Sequence, residues 1–154
     1  MPILEKIAQL SQARHWTDSI PLEYHYTVGV AGEKFRHELK ENGRFLASKC
    51  AKCKNSYVPA RMFCPSCFSE MKDTHLVEQP GYVYSYTTVN RNRTGESREP
   101  VTLALIKFQG IDGGIVHRLD SSGSPAFGMK VEPILKDAAD RTGALTDIIS
   151  FKQA

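Results

Sequence analysis

The sequence lacks any long apolar run, since its strongest one is only Leu103-Ala104-Leu105-Ile106. A helix needs about 20 apolar residues to cross a bilayer, so we expect no membrane span. The first residues, Met1 to Lys6, also lack the basic segment followed by an apolar block that a secretory signal requires. A cytoplasmic protein with reduced cysteines is therefore expected.

A strong excess of one charge is also missing. Lysine and arginine total 20 and aspartate and glutamate 17, which gives a net charge of +3. Dedicated nucleic-acid binders usually carry a stronger basic balance, so nucleic acid is a weak candidate partner. With 154 residues, 41% of them hydrophobic and 24% charged, the composition excludes disorder throughout and allows one ordinary domain, or a small domain with an appendage.

Familiar catalytic motifs are absent too. There is no G-x-S-x-G elbow and no H-E-x-x-H helix. The five histidines, at positions 15, 25, 37, 75 and 117, are scattered and none pairs with another at metal-ligand spacing. The glycine-rich segment Gly110 to Gly114 lacks the following lysine and helix of a phosphate loop, so we interpret it as a hairpin turn.

Hydrophobic spacing predicts helices followed by strands. Ile3, Ile7 and Leu10 form one helical stripe, and a second helix is predicted over residues 33–41, before a turn at Gly43. A short strand at residues 44–48 leads into the cysteine region. Five strands suit a small open barrel of the OB type, and they are predicted at residues 81–89, 101–109, 114–119, 129–135 and 146–151. The expected division is a helical segment at 1–43, a cysteine unit at 44–78 and a barrel at 79–154.

The four cysteines form two C-x2-C pairs, Cys50 with Cys53 and Cys64 with Cys67, separated by ten residues. Two such turns can direct four thiolates at one point, and zinc is the default ion for that donor set. Rubredoxin-like iron has the same ligands and stays open. A site of four cysteines has no position for water, so we expect one structural zinc per chain. Lys54 and Phe68 stand where zinc knuckles often place a glycine with positive φ.

The segment GRFLASKCAKCKNSYVPARMFCPSC from Gly43, followed by GYVYSYTTV, VTLALIKF and FGMKVEP, resembles a known family. This is the group long catalogued as domain of unknown function 35, with an N-terminal helical segment, a rubredoxin-like zinc ribbon and a C-terminal OB fold. The resemblance covers about residues 20 to 152, and the aromatic residues around Tyr24 and Phe35 resemble its thiolase-accompanying branch. It implies an acyl-CoA-binding or scaffold subunit whose partner enzyme holds the catalytic residues.

Arginines are the natural candidates for the phosphates of coenzyme A, because guanidinium groups bind phosphate bidentately. Arg91 and Arg93 lie in the basic loop between the first two predicted barrel strands, and Arg61 lies in the cysteine unit. Lys52 and Lys54 can add further positive charge. The open alternative is that these are ordinary solvated charges. Alternation places Tyr82, Tyr84 and Tyr86 on one side of a strand, where they stack on a base or pack in a core or interface.

Three functions follow from these patterns. The first is a non-catalytic, acyl-CoA-binding scaffold subunit of a thiolase-like complex, without catalytic residues of its own, because a thiolase needs a cysteine nucleophile outside any metal site. The second is a module that binds single-stranded nucleic acid, since aromatic strands and a basic loop suit that role. The third is an iron-bearing electron carrier.

Overall fold

A computed structural model describes residue 23 and residues 26–78, 80–91, 97–120 and 124–154. The helix predicted from Ile3, Ile7 and Leu10 lies outside these residues. Within them, no helix is long and apolar enough to cross a membrane.

One α-helix precedes the cysteine unit. Helix α1 spans Gly29–Asn42 and is longer than the 33–41 segment predicted. Its buried side chains, Ala31, Phe35 and Leu39, follow helical spacing and face the rest of the molecule. Gly43 ends the helix in the left-handed conformation, with φ 64°, and donates its N–H to the carbonyl of Leu39 at 3.1 Å.

Three short strands form the cysteine unit. They are β1 at Leu46–Lys49, β2 at Ser56–Val58 and β3 at Asp73–Leu76. Strand β1 lies in the middle and pairs antiparallel with both neighbours. The short strand predicted at residues 44–48 therefore exists, shifted by one or two residues.

Five strands close into the barrel that the sequence predicts. They pair antiparallel as β4–β5, β5–β6, β4–β7 and β7–β8, and the parallel pair β6–β8 completes the ring. This closed five-stranded arrangement is that of an OB fold. Each predicted strand is present with shifted ends: β4 at Gly81–Arg91, β5 at Ser97–Phe108, β6 at Ile111–Asp120, β7 at Lys130–Leu135 and β8 at Ile148–Gln153.

The cysteine unit joins the barrel through a parallel pairing of β2 with β6. Val58 pairs with Gly113, which has φ 81° and whose added Cβ would lie 2.5 Å from the Val58 carbonyl oxygen. Only glycine permits that approach. The prediction of one hairpin turn over Gly110 to Gly114 was therefore wrong for the second half: the turn is limited to Gln109 and Gly110, and β6 begins at Ile111.

Phe45 lies where the helix, the cysteine unit and the barrel meet. Its ring centroid is 6.3 Å from that of Phe35 in α1, 5.8 Å from that of Phe108 in β5 and 6.2 Å from that of Phe151 in β8. All four rings are buried in one core that also contains Ala47 and Val58. The strands of the cysteine unit therefore share a core with the barrel.

Asp147 is a fully buried carboxylate that organises the loop before β8. It accepts hydrogen bonds from the N–H groups of Thr142, at 2.8 Å, and Gly143, at 2.6 Å, and lies 3.5 Å from the Lys136 ammonium. Burial alone would raise its pKa, but these donors outweigh it and hold the pKa of Asp147 below its usual range. The carbonyl of Gly143 in turn accepts a hydrogen bond from Arg36, which ties the loop to α1.

We expect Asp147→Asn to lower the free energy of unfolding near pH 7 by about 2 kcal/mol, because an amide accepts fewer of these hydrogen bonds and leaves Lys136 unpaired. Since the carboxyl pKa is lower in the folded chain, the stabilisation is present above the usual carboxyl range and is lost as the pH falls through the folded pKa. Urea unfolding from pH 3 to 8 measures both effects.

Asp140→Asn is the matched control, because Asp140 is an exposed residue of the same loop. This variant should unfold like the natural chain at every pH. A difference between Asp147→Asn and the natural chain that is the same at pH 3 and pH 7 would contradict the assignment.

Candidate metal centre

The four cysteine thiols converge on one point. The sulfur atoms of Cys50, Cys53, Cys64 and Cys67 all lie within 4.8 Å of one another, and those of Cys50 and Cys67 are 3.6 Å apart. Zinc–sulfur bonds of about 2.3 Å in a tetrahedron place neighbouring sulfurs about 3.8 Å apart. The four thiols therefore fit a tetrahedral ion of the size and softness of zinc, and together they could supply its four ligands.

The first pair lies on a tight turn after β1. Cys50 donates its N–H to the carbonyl of Asn55 at 2.8 Å, and Lys54 donates to the carbonyl of Cys50 at 2.9 Å. The N–H of Cys53 points to the Cys50 sulfur at 3.3 Å. These bonds curl the chain so that both side chains project inward.

The second pair repeats this turn. Cys64 donates to the carbonyl of Ser69 at 3.0 Å, and Phe68 donates to that of Cys64 at 2.9 Å. The residue after each second cysteine has positive φ, 64° at Lys54 and 56° at Phe68, as the positions predicted. Each turn is thus a zinc knuckle built on a non-glycine residue in the left-handed region.

A small second core surrounds the thiols. Cys50 and Cys64 are fully buried and pack with Tyr57 and Met71. The Tyr57 hydroxyl lies 3.0 Å from the Ser66 hydroxyl and 3.9 Å from the Cys64 sulfur. No sequence pattern pointed to Tyr57, because an isolated tyrosine on a short strand has no distinctive spacing.

The protein environment favours thiolates at the second knuckle. The hydrogen bond with the Ser69 hydroxyl, followed by that of the Ser69 backbone, lowers the pKa of Cys67 to about 6. Burial alone would raise the pKa of Cys64, but backbone N–H groups of Cys67 and Ser66 outweigh it and lower that pKa. The hydrogen bond with Cys67, and then burial, raise the pKa of Cys53 to about 12. A cation is what allows all four thiols to ionise together.

The predicted arginines are only partly described. Arg61 follows β2, and its backbone N–H donates to the hydroxyl of buried Ser48 at 2.8 Å. Its exposed guanidinium carbon lies 5.9 Å from the centroid of the Tyr57 ring, beside the metal centre. The side chain of Arg91 and the whole of Arg93 lie outside the described residues.

The prediction that the three tyrosines of β4 lie on one side of the strand was wrong, because a β-bulge interrupts β4 between Val83 and Ser85. Tyr82 pairs with Lys107 and Tyr86 with Ala104, and those partners are three residues apart on β5 and so face opposite sides. The Tyr84 ring lies 4.3 Å from the Lys107 ammonium, whereas the Tyr86 ring lies 5.3 Å from that of Phe127.

Other candidate residues stand apart from this centre. Of the predicted aromatic residues, Phe35 is in the core and Tyr24 lies outside the described residues. His117 packs against Phe151, and burial lowers its pKa. In the part of the chain that the structure describes, the four cysteines are the one group of three or more side chains suited to hold a metal.

Known protein families match both parts of this architecture. Residues 37–72 match the ChsH2 rubredoxin-like zinc ribbon domain, and residues 75–135 match the ChsH2 C-terminal OB-fold domain. No curated protein matches the sequence.

Two solved structures are similar along most of their length. A protein of unknown function from the DUF35 family of Sulfolobus solfataricus is 30% identical, with 82% of this chain and 87% of that chain covered and a TM-score of 0.67. The Ltp2-ChsH2(DUF35) aldolase shares the fold at 24% identity, with 79% and 93% of the two chains covered and a TM-score of 0.53. The ribbon, the barrel and these matches establish that the chain belongs to the DUF35 family of zinc-ribbon and OB-fold proteins.

Proposed function

We propose that this chain is a non-catalytic, acyl-CoA-binding scaffold subunit of a thiolase-like enzyme, and that it holds one structural zinc. The observation that supports this proposal most strongly is that all four cysteines of the sequence belong to the candidate metal centre. Thiolase-type acyl transfer needs a free cysteine nucleophile with a nearby base. This chain has no cysteine to spare for that role, so the nucleophile belongs to another polypeptide.

The metal has a structural role in this proposal. Cys50, Cys53, Cys64 and Cys67 fill a tetrahedral shell, which leaves no position for water or substrate. Zinc bound there joins two turns that otherwise bury very few apolar side chains. In this proposal the four cysteine sulfurs bind the ion, and the ion stabilises the ribbon by cross-linking its two turns.

A catalytic partner is supported by the relatives. The Ltp2-ChsH2(DUF35) aldolase is a DUF35 chain named together with an enzyme. By analogy, we assign the bond-making steps to a thiolase-like partner and a supporting role to this chain. Both would act in the cytoplasm, where reduced thiols persist.

Acyl-CoA binding is assigned to the exposed cationic residues of the ribbon and to arginines at and after the end of β4. Arg61 presents its guanidinium beside the metal centre, and Lys52 and Lys54 are exposed on the first knuckle. Arg91, the last residue of β4, and Arg93, which follows it in the sequence, complete the proposed set. Guanidinium and ammonium groups suit the phosphates of coenzyme A.

Binding of single-stranded nucleic acid is the second candidate. One observation favours it: Tyr86 and Phe127 form an exposed ring pair, 37% and 74% accessible, on the barrel. Bases stack on such rings. Salt-dependent retention of oligonucleotides at physiological ionic strength would support this function over the first.

The purified chain should be colourless and contain one zinc. Cys64→Ser should lose the zinc and the protease resistance of the ribbon, because Cys64 is a fully buried ligand. Acidification should release the ion from the natural chain, since protons compete for the thiolates. Elemental analysis and limited proteolysis measure these effects. Ser69→Ala is the control: it keeps every sulfur and should retain the zinc.

If the purified natural chain is red and contains iron rather than zinc, the electron-carrier function is supported and the proposed structural zinc is contradicted.

Co-expression with a candidate thiolase-like partner should give a stable complex on gel filtration, with acyl transfer lost when the partner's nucleophile is replaced. The purified chain alone should show no acyl transfer. Clean separation of the two proteins, with full activity left in the partner, would contradict the proposed function.

Arg61→Ala should weaken coenzyme A binding to the complex about tenfold, because one charge-assisted contact to phosphate is lost. Isothermal titration calorimetry measures this change. Arg118→Ala removes another exposed arginine, in barrel strand β6, and should leave the affinity unchanged. Equal affinities of Arg61→Ala and the natural complex would remove Arg61 from the proposed site.

A further inference from the structure

The hydroxyl group of Tyr57 contacts both knuckles of the candidate metal centre. Tyr57 is buried in the middle of β2, between the two C-x2-C turns. Its oxygen accepts a hydrogen bond from the Asn55 side-chain amide at 3.4 Å and lies 3.0 Å from the Ser66 hydroxyl. Asn55 belongs to the first knuckle, because its carbonyl accepts the N–H of Cys50, and Ser66 lies inside the second C-x2-C pair. Tyr57 therefore connects the two knuckles through hydrogen bonds.

The same oxygen lies 3.9 Å from the Cys64 sulfur. A tyrosine hydroxyl has one hydrogen to donate and two lone pairs that accept. A cysteine sulfur that binds a metal has lost its proton and can only accept. One arrangement satisfies all of these groups at once: Asn55 and Ser66 donate to the Tyr57 oxygen, and the Tyr57 hydroxyl donates to the Cys64 sulfur.

Packing alone does not require this hydroxyl. A phenylalanine ring would fill the same space, and a buried hydroxyl is unfavourable unless it is hydrogen-bonded. Cys64 is fully buried, so water cannot supply a hydrogen bond to its sulfur. The small core around it consists of cysteine and methionine side chains and Tyr57, which carries the one O–H group of that core among the described residues. The hydroxyl thus lies where a metal-bound sulfur lacks other side-chain donors.

We propose that Tyr57 is a positioning residue of the metal centre, whose hydroxyl donates to the Cys64 sulfur and holds the two knuckles at the spacing that the ion needs. This inference rests on the structural zinc of the proposed function. Groups that hydrogen-bond to metal ligands typically raise metal affinity by about 10- to 100-fold. By connecting Asn55 with Ser66, the hydroxyl also narrows the range of sulfur positions before the ion binds, which lowers the entropy lost on binding.

Tyr57→Phe tests the role of the hydroxyl, because it removes the oxygen and keeps the ring. The full-length variant should still take up one zinc, but with an affinity about tenfold lower in competition with a chelating dye. Zinc should also leave it faster in excess chelator. Ser66→Ala removes only one hydrogen bond to the Tyr57 oxygen, so its affinity should fall in the same direction by less.

Cobalt(II) in place of zinc reports the hydrogen bond to sulfur directly. A hydrogen bond stabilises the lone pairs of a metal-bound sulfur and so moves the sulfur-to-cobalt charge-transfer band to higher energy. In Tyr57→Phe this band should move to longer wavelength, while the visible bands of tetrahedral cobalt are retained. A hydroxyl that acted only in folding would change the urea midpoint and leave the charge-transfer band where it is.

Two controls are matched to this variant. Tyr84→Phe makes the same chemical change at an exposed tyrosine of β4 and should match the natural chain in zinc affinity and cobalt spectrum. Met71→Leu alters the same small core as Tyr57 but removes no N–H or O–H group. This second control can change the urea midpoint and should leave the charge-transfer band unchanged.

The outcomes separate this inference from the proposed function. If the natural chain binds neither zinc nor cobalt, the structural zinc fails and the inference fails with it. If the natural chain binds zinc and Tyr57→Phe shows the natural charge-transfer band, the inference is overturned while the zinc stands, whatever the urea midpoint. If Tyr57→Phe does not fold, Ser66→Ala decides, and a natural affinity and band in that variant overturn the inference.

Discussion

The structure depends on the convergence of four thiols at a single point. Two turns separated by ten residues bring Cys50, Cys53, Cys64 and Cys67 within 4.8 Å of one another, and the surrounding apolar cluster is small. Such a segment has too little buried surface to hold its shape without a cross-link. The ion that we propose for this site supplies that cross-link and occupies every thiol of the chain, so one constraint determines both the ribbon and the absence of a thiol nucleophile.

The ribbon is also firmly connected to the barrel. Strand β2 pairs with β6 where Gly113 allows close approach, and the Phe45 ring contacts rings from the helix and from both β5 and β8. The two knuckles are therefore held in place relative to the barrel rather than attached through a loose linker. A surface held in this way suits a scaffold, because a partner can bind it at little cost in conformational entropy.

Local patterns in the sequence were sufficient for the ribbon and the barrel. The C-x2-C spacing predicts the metal centre, and alternation with turn residues predicts five strands with ends displaced by a few residues. The sequence could not reveal features that depend on pairing across the fold. The bulge after Val83 moves Tyr86 to the opposite face from Tyr82, and Asp147 meets its donors only because the 136–147 loop folds back. Tyr57 likewise becomes part of the site only when the knuckles close around it.

The central claim is that this chain supports chemistry performed by another polypeptide. The most direct test treats the zinc-loaded complex with an acyl-CoA analogue whose acyl group alkylates thiols, and then locates the label by peptide mass spectrometry. The account predicts that a cysteine of the partner is alkylated and that the four cysteines of this chain remain unmodified. Labelling of Cys53 or Cys67, the two that are partly exposed, with matching loss of activity would contradict it.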